Sequence, residues 1–214
     1  HIFWHQNYSV ELAQSGNQFI TIKVTKCDTV FLLTAIYGSC DPLQRETLWS
    51  DLNSFHLGSL PWFVGGDFNA VANPEEMRGR GPFQRQASSD FSQFMAGKGL
   101  CDLGFTGDCF TWCNNRRGPH RSWSRLDRGL ANSHASTVFS NTKVNHLVHG
   151  ISDHSPLLVS ISSGQEHQER FRFYQQWVLF PGYHDMVREI WESPVQVHTW
   201  VAMHDKLRRL KAHL

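Results

Sequence analysis

The sequence predicts an α/β domain, because short apolar segments typical of strands alternate along the chain with amphipathic helical segments. Residues 19–36 contain two strand patterns, and the second, at residues 30–36, is apolar enough for a strand buried on both faces. A helix is expected directly afterwards, because Asp41 can cap its N-terminus and Pro42 suits the first helical position. Residues 61–64 predict another short buried strand.

The same alternation continues further along the chain. Residues 73–87 are polar and rich in glycine and proline, which predicts a surface loop. Ser88 or Ser89 is then expected to cap a helix that ends near Gly97 and Gly99. Three more strands are predicted, at residues 110–112, 125–131 and 157–161.

Composition and charge narrow the class of protein. The chain has 214 residues, of which 40% are hydrophobic, yet no apolar run approaches the ~20 residues that a membrane span needs, so a soluble protein without a membrane partner is expected. A net charge of +1 means that any contact with nucleic acid has to come from local patches. Five cysteines without a regular framework indicate reduced thiols in an intracellular protein, and packed thiols are favoured over a zinc site.

The segment Gly66-Asp67-Phe68-Asn69 follows a predicted buried strand and carries the first candidate site residues. Asp67 and Asn69 are two positions apart, so in continued strand geometry both side chains point to the same side. A carboxylate there can take a proton from water while the neighbouring carboxamide holds a phosphate oxygen. The alternative is a turn that merely closes the strand, and this segment alone does not decide between the two.

A second candidate lies at residues 152–156, just before the last predicted strand. Asp153 and His154 are adjacent, so they can serve one site only in a loop, because on a regular strand they point opposite ways. A histidine can stabilise charge on a phosphate undergoing attack, and an aspartate can hold a divalent cation. Asp127, between two arginines, is either a simple ion-pair partner or the carboxylate that orients His154.

An ordered set of motifs resembles the endonuclease/exonuclease/phosphatase superfamily: Gly66-Asp67-Phe68-Asn69, Phe110-Thr111-Trp112, Arg125-Leu126-Asp127 and Ser152-Asp153-His154-Ser155-Pro156. The likeness is greatest to the apurinic-type endonuclease domain of LINE-type, non-LTR retrotransposons, especially those of plants. It covers residues 1–163, whereas residues 164–214 resemble the helical linker that precedes reverse transcriptase in such elements. The implied fold is a four-layer α/β sandwich, with two packed mixed β-sheets flanked by helices and the first strand or strands missing.

The resemblance implies a role for each matched residue. Asp67 would activate the attacking water, and Asn69 would position that water or the phosphate. His154 would contact the scissile phosphate, with Asp127 orienting it from behind. Tyr37, at the end of a predicted strand, matches a tyrosine that hydrogen-bonds phosphate, although its alternative is an ordinary residue at a strand end.

The implied cofactor is Mg²⁺, with Mn²⁺ as the substitute, and Asp153 would lie in or beside the metal site. Two departures bear on this expectation. Gly38-Ser39-Cys40 stands where the family often continues with Pro-Asn, and no residue of this sequence matches the family's N-terminal asparagine or its principal metal-binding glutamate. Because Mg²⁺ needs oxygen ligands, we expect the chain as given to be inactive or nearly so.

A DNA-facing surface is predicted where arginines and tryptophans come together along the chain. Guanidinium groups neutralise phosphates, and indoles can stack on bases. The alternative is a solvated basic loop. The residues concerned are Arg116, Arg117 and Arg121, with Arg125 and Arg128 beyond them, and Trp112 and Trp123.

Three functions therefore stay open. The first is a Mg²⁺-dependent endonuclease domain acting on DNA, without a small-molecule cofactor and, by family resemblance, nuclear. The second is a phosphatase of the same fold. The third is a catalytically inactive remnant or binding module.

Overall fold

A computed structural model describes residues 2–55, 58–79, 82–162, 182–193, 206–207 and 209–210 of the chain. The chain divides into two compact units, His1–Gln165 and Glu166–Leu214. Among the described residues, no helix combines the length and the apolar character that crossing a membrane requires.

A six-stranded sheet forms the centre of the first unit. Its spatial order is β1-β2-β3-β4-β9-β6, where β3 and β4 are parallel and all other neighbours are antiparallel. The strands are β1 (Ser9–Ser15), β2 (Phe19–Lys26), β3 (Thr29–Tyr37), β4 (Trp62–Asp67), β6 (Leu100–Asp102) and β9 (Asp127–Asn132). All six residues of β9 are buried, so this strand lies inside the unit.

Shorter strands build the second layer. One group has the order β5-β8-β7, and the other is an antiparallel pair, β10-β11. A cavity of about 590 Å³ lies between β11 and the first sheet, with apolar walls and with Asp127 and His154 among its lining residues. The strands are β5 (Met77–Arg78), β7 (Trp112–Cys113), β8 (Trp123–Ser124), β10 (Lys143–His146) and β11 (Leu157–Ser160).

Helices flank the sheets, which confirms the predicted mixed α/β fold of packed sheets between helices. Helix α1 (Pro42–Ser54) begins as predicted, because the Asp41 side chain accepts a hydrogen bond from the backbone N–H of Leu43 at 3.0 Å. The remaining helices are α2 (Arg85–Gly97), α3 (Ser133–Val138) and, in the second unit, α4 (Tyr183–Glu192). The Trp49 ring of α1 stacks on Phe94 of α2 with centroids 4.8 Å apart, so aromatic packing joins both helices to the core.

The predicted start of the second helix is wrong, and one strand was not predicted. Helix α2 begins at Arg85, earlier than expected, and its N-cap Gln84 makes no side-chain capping bond. Ser88 therefore lies inside the helix, and its hydroxyl donates to the carbonyl of Ala72 at 2.6 Å. Strand β1 was not predicted, because as an edge strand it has few buried side chains.

The predicted linker helices fall mostly outside the described residues. This holds for residues 163–181 and 194–205, and for most of the amphipathic segment expected at residues 203–214. Within the described part of this unit, α4 is capped by Gly182 in the left-handed conformation.

Candidate active site

Three predicted site residues stand in one row across three neighbouring strands. Tyr37 at the end of β3 pairs with Asp67 at the end of β4, and Asp67 pairs with Asp127 at the start of β9. Side chains of directly paired residues project from the same face of a sheet. Asp67 and Asp127 are buried, each 8% exposed, whereas Tyr37 is 74% exposed. The sheet therefore places two aspartates side by side at its rim, with a phenol beside them in solvent.

Gly66 is required for this arrangement. Its φ of +134° is a conformation that residues with a side chain rarely adopt, and a Cβ built there would lie 2.2 Å from the carbonyl oxygen of Ile36. Strand β4 can therefore deliver Asp67 next to β3 only with a glycine at this position.

Asp67 and Asn69 come together through hydrogen bonds and not through continued strand geometry, which corrects the sequence prediction. Strand β4 ends at Asp67, and Asn69 adopts a left-handed conformation with φ +46°. Its backbone N–H donates to Oδ1 of Asp67 and its Nδ2 donates to Oδ2, both at 2.8 Å. The same Nδ2 donates to the carbonyl of Gly38 at 2.9 Å. Asn69 thus fixes the carboxylate and ties it to the segment after Tyr37.

His154 completes the group. Its Nδ1 lies 2.8 Å from Oδ2 of Asp127, and its Nε2 lies 3.9 Å from Oδ2 of Asp67. The prediction that Asp127 orients His154 matches this geometry, because a hydrogen bond at Nδ1 leaves Nε2 as the outward nitrogen. The imidazole is 30% exposed, so it remains open to a substrate.

Thr111 connects the segments that carry Asp127 and His154, and it was not assigned a role from the sequence. Its hydroxyl accepts hydrogen bonds from the backbone N–H groups of Asp127 and Leu126, at 2.9 and 3.0 Å. Its carbonyl accepts from the N–H of Ser155 at 2.7 Å. Thr111 is fully buried, so it holds β9 and the His154 loop in fixed relation. Its place in Phe110-Thr111-Trp112, one of the matched motifs, was the available signal.

Electrostatics favour Asp67 as a proton acceptor. Burial raises the pKa of its carboxyl, the hydrogen bond from Asn69 lowers it, and the nearby charge of Asp127 raises it again. The net direction is upward, so Asp67 holds a proton more readily than an aspartate in water. This is the change that general base catalysis near neutral pH requires.

Arg125 and Arg128 do not face DNA, which corrects their inclusion in the predicted surface. Both are buried, and both bind Glu76 and Asp102. Nη2 of Arg128 lies 2.8 Å from Glu76, and Nη1 of Arg125 lies 3.0 Å from it. Since these arginines flank Asp127, the ion pairs anchor the strand that carries it.

The three ligand atoms of Asp67, Asp127 and His154 all lie within 4.8 Å of one another, close enough to contact a metal ion. The fit to Mg²⁺ is incomplete, however. Mg²⁺ prefers oxygen ligands, and the direct bond between His154 and Asp127 leaves no space for an ion between them. Asp153 does not belong to this group: its exposed carboxylate accepts a hydrogen bond from the Trp112 indole at 3.2 Å.

The predicted DNA-facing residues lie on and between β7 and β8. Arg116 and Arg117 are exposed in the connecting loop. The guanidinium carbon of Arg121 lies 5.1 Å from the centroid of a Trp123 ring. Arg78, which sequence reasoning missed, lies 5.3 Å from the same indole. The two cations therefore share one aromatic side chain, an arrangement that holds both near the surface.

Comparisons with solved structures identify the fold. The chain is similar to the endonuclease domain of TRAS1, a telomere-specific non-LTR retrotransposon, with a TM-score of 0.55 and 17% identity over 74% of this chain and 70% of that one. It also matches truncated Caenorhabditis elegans TDP2 (TM-score 0.44, 16% identity, 73% and 68% covered). A third match is the human Nocturnin catalytic domain (TM-score 0.45, 18% identity, 75% and 62% covered).

No protein-family model and no curated protein matches the sequence. The likeness to the TRAS1 domain nevertheless shows the fold. The chain has the mixed α/β fold of a non-LTR retrotransposon endonuclease domain.

Proposed function

We propose that the site of Asp67, Asn69, Asp127 and His154 is the hydrolytic centre of a DNA-cleaving phosphodiesterase from a LINE-type retroelement. The observation that carries this proposal is the hydrogen-bonded row Asn69–Asp67 and Asp127–His154 at one rim of the first sheet. It combines a proton acceptor of raised pKa, Asp67, with an oriented imidazole, His154. Water needs both groups to attack a phosphodiester.

Asp67 takes the proton from the attacking water. Its two oxygens are fixed by the backbone and side chain of Asn69, so little reorganisation is needed when the proton arrives. Asn69 positions the water through Oδ1, which can accept a hydrogen bond, because both protons of its Nδ2 are donated to Asp67 and Gly38.

His154 contacts the scissile phosphate through Nε2 and stabilises the charge that develops on it. Asp127 acts through His154, because it holds Nδ1 and thereby sets the direction of Nε2. The exposed hydroxyl of Tyr37, next in the row, donates a hydrogen bond to a phosphate oxygen.

Mg²⁺, or Mn²⁺ in its place, belongs to this proposal as the ion that neutralises phosphate charge. The rim carboxylates of Asp67 and Asp127 would hold it. Asp153, which binds the Trp112 indole, would have to turn away from that indole to join them. Since the described residues give an incomplete oxygen set, and no residue matches the principal metal-binding glutamate of the resembled family, we propose that these 214 residues alone cleave slowly.

DNA is the proposed substrate, and a nuclear location goes with it. Support comes from the basic loop with Arg116 and Arg117 and from the paired Arg78 and Arg121 on Trp123. Binding should weaken with salt, with a slope of about −0.9 per neutralised phosphate. Changing Arg116 and Arg117 together to Ala should make the slope shallower by about 1 to 2. An unchanged slope would remove the loop from the DNA-binding surface.

A substrate panel tests the function against its alternatives. Supercoiled plasmid, a phosphomonoester of a nucleotide and a phosphorylated lipid are each incubated with excess protein and Mg²⁺. The proposal expects nicked plasmid and no phosphate release. Phosphate release without nicking would favour a phosphatase, and DNA binding without either reaction would favour a binding module.

A further inference from the structure

Arg45 is a buried cation that the proposed chemistry does not use. It lies in the first turn of α1 and is only 3% exposed. One nitrogen of its guanidinium, Nη1, donates to the carbonyl of Ser39 at 2.6 Å. Within the described parts of the chain, no carboxylate forms an ion pair with it. The carboxylates of Asp41, Asp67 and Asp90 act on its charge only from a distance. A buried guanidinium without a direct ion pair is unusual, and it can bind an anion that reaches it.

Arg45 also lines a cavity next to the candidate active site. The cavity has a volume of about 170 Å³, and Asn69 is part of its wall, so it adjoins the rim where the scissile phosphate is expected. No aspartate or glutamate lines it. Its other polar lining residues are Cys40, Gln84, Ser88 and Ser124.

The chemistry of this cavity fits a phosphate group. A guanidinium presents planar N–H donors that match phosphate oxygens, and the side chains of Ser124 and Gln84 can donate further hydrogen bonds. The Ser88 hydroxyl already donates to Ala72, so it would serve only as part of the wall. Burial lowers the pKa of Arg45, and the charges of Cys40, Asp41 and Asp67 oppose this only in part, so a cost of keeping its charge away from water remains. A bound dianion or diester would offset that cost.

We propose that Arg45 and this cavity form a second phosphate subsite, which takes a phosphate of the substrate strand next to the scissile one. The position beside Asn69 supports the assignment, because neighbouring phosphates of one strand follow each other across a cleavage site. The choice of a nucleic-acid phosphate rests on the proposed function, whereas the phosphate site itself does not.

The first test uses inorganic phosphate and the unaltered chain. Cys40 is exposed and lines the cavity, while Cys27 and Cys101 are exposed elsewhere. Alkylation by iodoacetamide is followed for each cysteine by mass spectrometry, in phosphate and in chloride of equal ionic strength. At a phosphate concentration ten times Kd, the rate at Cys40 should fall about tenfold, and the other two rates should stay the same.

Variants then assign the effect to Arg45. In Arg45→Gln, phosphate should no longer slow the alkylation of Cys40, whereas Arg45→Lys should keep part of the protection. Lys23→Gln is the control for loss of one positive charge, since Lys23 pairs with Glu11 on the first sheet and should leave the protection intact. If the alkylation rate at Cys40 of the unaltered chain is the same with and without phosphate, the proposed subsite is overturned.

The second test uses duplex DNA in which single phosphates are replaced by neutral methylphosphonates. The unaltered chain should lose affinity at one position beside the cleavage point, and Arg45→Gln should show no loss at that position. If phosphate protects Cys40 but no single methylphosphonate position lowers the affinity for DNA, the assignment to the substrate strand is overturned. Absence of all DNA binding, with Cys40 still protected, would refute the proposed function and leave the phosphate site standing.

Discussion

Nδ1 of His154 lies 2.8 Å from Oδ2 of Asp127, although the two residues are 27 positions apart in the chain. The pair exists because β9 begins at Asp127 and because the buried Thr111 binds both the backbone of Asp127 and the backbone of Ser155. Its geometry fixes which imidazole nitrogen is available to a substrate.

This pairing predicts a specific imidazole signal. A proton on Nδ1 of His154 should exchange slowly and be visible by NMR, and Asp127→Asn should remove or shift it, because the amide is a weaker partner than the carboxylate. Loss of the pair should also reduce any cleavage rate about 10- to 100-fold.

His146 provides the internal control for that spectrum. Its Nδ1 lies 2.6 Å from the carbonyl of Asp108, so its signal should be the same in both proteins. Asp28→Asn, an exposed substitution of the same kind, should leave both signals in place. A His154 signal that survives Asp127→Asn would contradict the pairing.

Glu76 is predicted to contribute strongly to stability. It receives hydrogen bonds from both buried arginines and from the N–H of Ala72 at 2.6 Å. Glu76→Gln leaves those arginines with less counter-charge, so the free energy of unfolding should fall by about 3 to 5 kcal/mol. Urea unfolding measures this, and Glu75→Gln, an exposed neighbour, should change it by less than about 0.5 kcal/mol. Equal effects of the two substitutions would contradict the account.

The same ion pairs predict how stability depends on pH. Burial alone would raise the pKa of Glu76, but the hydrogen bond and charge of Arg128 outweigh it, so the pKa lies below the ordinary 4.5. The pKa of Asp102 is likewise lowered, by Arg125 against burial. A carboxyl whose pKa is lower in the folded state stabilises that state at every pH above its pKa in the unfolded chain. The stabilisation is lost as the pH falls from there through the pKa of the folded state.

The contribution of Glu76 to the free energy of unfolding should therefore be constant above pH 4.5 and should decline below that pH. Unfolding by urea at a series of pH values tests this. In Glu76→Gln the decline should be shallower, because one of the titrating groups is gone. An identical slope in both proteins would show that Glu76 does not carry the effect.

Gly66→Ala should destabilise the chain by more than about 2 kcal/mol, because the added Cβ meets the carbonyl of Ile36 and the backbone has φ +134°. Thermal unfolding measures the change. Gly97→Ala is the matched control: Gly97 lies in α2, and its added Cβ has open space. That substitution should leave stability equal or slightly higher. Similar losses at both positions would rule out the close approach at Gly66.

The structural features that could be predicted from the sequence are those determined by a few neighbouring residues. The continuous apolar run of β3, the cap at Asp41 and the order of the site motifs all have a signature within a few residues. The pair of Asp127 and His154 was one of two alternatives for Asp127, and the resemblance of the motifs favoured it over a simple ion pair with the neighbouring arginines.

The predictions that were wrong or absent concern residues whose roles depend mainly on contacts with distant parts of the chain. Arg125 and Arg128 look like part of a basic surface, and only their contacts with Glu76, 49 and 52 positions away, show that they are buried counter-ions. The start of α2 was misplaced because Gln84 offers no capping signal, while the serines inside the helix do. Arg45 gave no signal at all, since its burial beside Asn69 depends on how α1 and α2 pack.

The most direct test of the central claim, that this rim is a hydrolytic centre, is single-turnover nicking of supercoiled plasmid by excess protein with Mg²⁺. One cut converts a plasmid, so even slow cleavage is visible. We predict slow nicking by the unaltered chain, which stops in Asp67→Ala, and no multiple turnover at low protein concentration. Equal nicking by both proteins, or none by either, would contradict the central claim.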